Sequence, residues 1–88
     1  MIFIKGSLRM SLTNLQPLSQ LAEHLTAHVH AVQTDNATRI RLLGMGIGTG
    51  TRVEILRNRN GDIVLGNGNN RISLGRSITD KITVQVQE

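Results

Sequence analysis

The chain has 88 residues and no cysteine: one small domain with a modest core, and no basis for a deep substrate cavity, a disulfide framework, a thiolate zinc site or a thiol nucleophile. Ten Lys and Arg against six Asp and Glu give a net charge of +4, which points to nucleic acid or to an acidic partner surface. Phe3 is the sole aromatic residue and the arginines are spread from Arg9 to Arg76, so base stacking and aromatic peptide grooves are disfavoured, and nucleic acid is not an expected partner.

The opening MIFIKGSLRM carries too short an apolar run for a signal peptide, and no stretch approaches membrane-spanning length. With the missing cysteines, this predicts a soluble, cytoplasmic protein. Residues 1–11 read as an N-terminal extension, expected to be disordered, ahead of a domain over 12–88, and Met10 is an alternative start.

In LQPLSQLAEHL, apolar residues at 15, 18, 21, 22 and 25 follow a helical stripe, and Pro17 suits a first turn; the spacing predicts a helix within 15–27. HVHAVQ (28–33) reads as a short strand. Thr34, Asp35 and Asn36 are capping residues placed before ATRIRLLGM, which predicts a second helix within 35–46. Ala37, Ile40 and Leu43 line one side of it, Leu42 and Met45 form a second apolar stripe, and Arg39 and Arg41 point away.

From residue 51 the period changes to two. TRVEILR (51–57) places Val53 and Ile55 on one face and Arg52 and Glu54 on the other. NRNG (58–61) ends in Asn-Gly, a strong hairpin signal, and NGNN (67–70) is a second turn, so DIVLG (62–66) and RISL (71–74) follow as strands. RSITD (76–80) reads as a short helical or irregular turn. KITVQVQ (81–87) alternates, with Ile82, Val84 and Val86 inward. The result is a mainly β domain of about five short strands plus two helices, and closure into a small barrel would remove its exposed edges.

GMGIGTG (44–50) carries four glycines on alternate positions and raises the question of phosphate binding. The dinucleotide fingerprint G-x-G-x-x-G fails in every frame, because the third glycine would fall on Thr49, Thr51 or Val53. The run also follows a helix and precedes a strand, the reverse of that motif. A P-loop needs Gly-Lys-Ser/Thr, and no lysine lies between Lys5 and Lys81. A structural role is expected instead: Gly46 ends the helix in the left-handed conformation, and Gly50 turns the chain into the next strand. Gly44, inside the helix, and Gly48 have no role at this level.

RLLGMGIGTGTRVEIL (41–56) resembles the signature of the FeoA family, the ferrous iron transport protein A. Arg41, Leu42, Leu43, Met45, Gly46, Ile47, Gly50, Thr51 and Val53 match that pattern, while Thr49 stands at its usual proline and Gly44 at its usual larger residue. Downstream, GDIVL and RISLGRSITDKITVQ resemble the family's Gly-Asp-Pro loop, Ser-Leu-Arg segment and last strand, with Ile63 where proline is common. The likeness covers about residues 12–87. It implies an SH3-like β-barrel and a cytoplasmic accessory to FeoB, the membrane ferrous iron transporter with a GTPase domain. The same barrel forms the C-terminal domain of DtxR-type metal-dependent repressors, which keeps a metal-responsive or nucleic-acid-binding module as the alternative. No DNA-binding half accompanies the domain, so a repressor is disfavoured.

His28 and His30 share a strand face, yet no carboxylate has a spacing that completes a closed site with them or with His24, so no metal ligand, cofactor or catalytic residue is assigned. Ser73 and Ser77 read as strand and turn polars. The expected activity is contact with a partner, through the second helix and its turn. Leu42 and Met45, beside Arg39, are the candidate contact residues, because a small barrel buries only one of the helix's two stripes. The competing expectation buries both stripes between the barrel and the first helix. Self-association is left open.

Overall fold

The computed structural model describes residues 15–87, so the extension expected over 1–11 and Met10 lie outside the described residues. In chain order the elements are β1 (Leu15–Pro17), a 3₁₀ turn (Leu18–Gln20), β2 (Thr26–Val32), α1 (Asn36–Gly44), β3 (Arg52–Arg59), β4 (Asp62–Asn67), β5 (Asn70–Leu74), α2 (Arg76–Thr79) and β6 (Ile82–Gln87). The strands pair antiparallel in the order β1-β6-β2-β3-β4-β5. The ladder does not close into a ring, and β1 and β5 are its ends. Strands far apart in the order nevertheless share one core, as Ile82 and Val84 of β6 do with Ile72 and Leu74 of β5, so the sheet curls over on itself.

Alternation and turn chemistry place the second half. Val53 and Ile55, Ile63 and Leu65, Ile72 and Leu74, and Ile82 and Val84 are all buried, with exposed or half-buried residues between them. Asn60 (φ 54°) and Gly61 (φ 95°) both take the left-handed region that a tight hairpin between β3 and β4 demands. Register skips between Ile55 and Arg57, leaving Leu56 as the extra residue of a bulge in β3; a second irregularity at His30 interrupts the pairing of β2 with β6.

The first half departs from its expected form. Instead of a helix within 15–27, the chain forms β1, one 3₁₀ turn and an irregular run to Thr26. Pro17 is extended (φ −63°, ψ 140°) and ends an edge strand paired to β6, where its missing N–H costs no ladder bond to a second neighbour. Leu18 and Leu21, three apart, both reach the core through the 3₁₀ geometry. The carbonyls of Ser19 and Leu21 accept from Asn58 Nδ2 at 3.0 and 2.7 Å, where an α-helix would have paired them with amides four residues on. Tertiary partners outcompeted the helical stripe. β1 is also the strand that raises the count to six.

α2 is tied to the β3–β4 turn. Asp62 Oδ1 accepts from the Arg76 amide at 2.9 Å, and the fully buried Thr79 donates its hydroxyl to the Gly61 carbonyl at 2.6 Å.

Candidate functional site

α1 is built by local chemistry at both ends. Asp35 Oδ1 accepts from the Thr38 amide at 3.2 Å and caps the first turn. Hydrogen bonding from Thr38, side chain first and amide second, holds the Asp35 carboxyl below its ordinary value. Arg39 Nη2 donates to Asn36 Oδ1 at 2.9 Å. At the far end Gly46 (φ 86°) donates to the Leu43 carbonyl at 3.0 Å, and the Ile47 amide donates to the Leu42 carbonyl at 2.8 Å. This is the glycine-terminated helix stop in which the residues flanking the glycine also pack together; Leu42 and Ile47 are both buried.

The glycine run is consumed by this structure. The Gly46, Gly48 and Gly50 amides donate to Leu43 O, Thr51 Oγ1 and Val29 O respectively. Ile47 and Thr51 donate to Leu42 O and Gly48 O. These amides leave nothing to cradle a phosphate. Gly48, unexplained at the sequence level, lies where a Cβ would come within 2.6 Å of Leu43 Cδ2. Gly44 has open space around it, and nothing in the structure explains it.

The helix faces are exchanged relative to expectation. Leu42 is 1% exposed and belongs to the core, so the partial exposure expected of it is not found. Ile40 is 66% exposed, Leu43 56% and Met45 40%. The pairing of Leu42 with Ile47 sets the rotation of the helix. At about 100° per residue, Leu43 and Ile40 then swing to the outer side, while Met45 returns to within about 60° of Leu42. The missing first helix completes the reason, since it was the element that would have covered the second stripe. Val32, Arg39, Ile40, Leu43, Ile47 and Gly48 line a shallow groove of about 410 Å³ along this face. Of the expected contact residues, Arg39 and Met45 are exposed and Leu42 is buried; the exposure of Ile40 and Leu43 was not foreseen. The signal that finds them is the spacing of Leu42, Gly46 and Ile47, which marks the buried side of the last turn.

His24, His28 and His30 are exposed, and among the described residues no three His, Cys, Asp or Glu side chains gather where they would hold a metal ion. His24 takes φ 75°, an uncommon conformation for a non-glycine residue, and its amide donates to Ile55 O at 2.7 Å. Ser73 and Ser77 are exposed on β5 and α2.

A curled antiparallel sheet around one apolar core, with two short helices beside it, defines a small SH3-like β domain. The chain belongs to the FeoA family, whose domain model matches residues 16–86. A Methanocaldococcus jannaschii protein named for Fe(2+) transport, as its protein A, is 28% identical over 74 residues, spanning 84% of this chain and 90% of the relative. The FeoA protein of Chlorobium tepidum is 28% identical with a TM-score of 0.76, over 83% of this chain and 71% of that one. Stenotrophomonas maltophilia FeoA, described as a procaryotic SH3 domain protein and complexed with zinc, is 26% identical with a TM-score of 0.68, over 80% and 89%. T. acidophilum IdeR shares the fold alone, at 16% identity and a TM-score of 0.75, over 83% of this chain and 34% of that one.

Proposed function

We propose that the chain is a non-catalytic, cytoplasmic accessory of ferrous iron uptake that acts by contact with a FeoB-type membrane transporter. Family membership and the M. jannaschii relative's name supply the iron-uptake context. The observation that carries the contact reading is the outer face of α1, where Ile40 and Leu43 stand exposed beside Arg39. Two large apolar side chains on one short helix, rimmed by a cation, make a surface that gains by being covered. No helix among the described residues is long and apolar enough to cross a membrane.

The test measures binding to the soluble domain of the transporter for Ile40→Ser, Leu43→Ser and Arg39→Glu. Ile40 and Leu43 touch solvent, so these variants keep near-native melting temperatures, and binding weakens by about tenfold or more. Native binding by folded variants places the contact elsewhere and defeats the reading. The alternative, a metal-responsive or nucleic-acid-binding module, draws on likeness of fold to IdeR; it requires DNA affinity that falls steeply and linearly on a log–log plot against salt.

A further inference from the structure

The end of the sheet at β5 is open, and its open groups can be assigned. Gly68 and Asn69 form a two-residue loop between the paired Asn67 and Asn70, with Gly68 at φ 63°. A loop of this kind is closed by a hydrogen-bonded pair, and along an antiparallel ladder such pairs alternate with unbonded ones. Leu65↔Ile72 and Ile63↔Leu74 are therefore bonded, whereas the main-chain groups of Arg71 and Ser73 point away from β4. Among the described residues, neither Arg71 nor Ser73 exchanges a main-chain hydrogen bond with any loop, turn or cap. At the other end of the order, β1 is three residues long and ends in Pro17, which blunts that edge. β5 contains no proline and no bulge in its pairing.

The side chains around this edge define what would pair with it. On the outer face, Arg71 and Arg57 are exposed beside the half-buried Leu56 and Val64, and these four line one shallow depression. Among the described residues the single ion pair is Arg76 with Asp80, so both arginines lack a carboxylate partner. Toward α1, Met45, Gly46, Asn67, Asn70, Arg71 and Ile72 line a second depression that runs beside the start of β5. We infer that β5 is a docking edge for an extended acidic segment of another protein, which adds to the sheet as a seventh antiparallel strand. Alternate residues of that segment are acidic and meet Arg71 on the outer face, where Arg57 adds positive potential across the sheet. The residues between them are apolar and turn toward Met45 and Ile72. A second copy of this chain is the wrong occupant, because its net charge of +4 brings like charge to the arginines.

The probe is a synthetic alternating Glu/Val peptide of about eight residues, with a Lys/Val peptide as control. Binding is followed by amide chemical shifts and hydrogen exchange. The Glu/Val peptide is expected to protect the Arg71 and Ser73 amides from exchange. Ser73→Pro removes an outward N–H without touching the β4 ladder, and Arg71→Glu reverses the charge; each is expected to weaken binding by about tenfold or more at a retained melting temperature. Should Ser73→Pro fail to fold, Arg71→Glu together with wild-type exchange protection decides the question. The inference is overturned by no binding, by equal binding of the two peptides, by shifts centred on Ile40 and Leu43, or by self-association through the same edge.

Discussion

α1 and the β3–β4 hairpin are held in opposite ways. Asn58, near the end of β3, donates to two carbonyls of the N-terminal segment and accepts from the Gly61 amide at 2.9 Å, and its own amide donates to Glu23 Oε2 at 3.0 Å. Partners more than thirty positions away in sequence are thus locked to one turn, and Thr79 and Asp62 lock α2 to the same place. α1 has caps drawn from its own neighbours and a single fully buried side chain, Leu42. A region held by long-range polar bonds tolerates little change in any of its parts. A helix held by its ends and one anchor leaves its outer face available for a partner.

The contrast breaks first at the anchor. Leu42→Ala removes the only deeply buried side chain of α1 and is expected to cost about 2–5 kcal/mol, read as a fall in the urea midpoint at unchanged slope. A loss below 1 kcal/mol, about the effect of a surface change, shows that α1 is not anchored to the core there. Asn58→Ala comes next. It strands two carbonyls and an amide at the hairpin and is expected to cost about 1–3 kcal/mol, with faster amide exchange at both Leu21 and Gly61. Exchange that speeds up at Gly61 alone would separate the N-terminal segment from the hairpin.

Gly46→Val sharpens the account of the helix stop. A β-branched residue in the left-handed region costs about 1–2 kcal/mol, and its Cβ meets Asn67 Nδ2 at 3.0 Å. Gly44→Ala, in open space with no positive φ, is the contrasting control and is expected to stabilise by up to about 1 kcal/mol. The smallest effect concerns pH. The Asp35 carboxyl is depressed in the folded state, so its contribution is present at neutral pH and fades as pH falls through the value of about 3.8 that an unperturbed aspartate shows. A melting-temperature profile on Asp35→Asn is expected to lose part of the wild-type acid decline; an identical decline removes the cap from the comparison.

Residues 51–87 were legible because their information is local. Period-two alternation, Asn-Gly at 60–61 and the turn at 67–70 act over a few residues, and no tertiary contact was needed to read them. The helix within 35–46 and the left-handed Gly46 were legible for the same reason: a cap and a stop are chosen by neighbours. The N-terminal segment was not. Its apolar residues at 15, 18, 21, 22 and 25 fit a helix, yet β6 and Asn58 lie far along the chain and offered better partners. That single outcome decided the rest of the candidate surface. With no first helix to cover α1, and with Leu42 turned inward by Ile47, the exposed stripe became Ile40 and Leu43. Sequence alone determined the elements whose hydrogen bonds close within a turn or a hairpin. The open edge at β5 and the outward side of α1 were decided by which distant segments pair with one another and share the core, a competition that periodicity does not record.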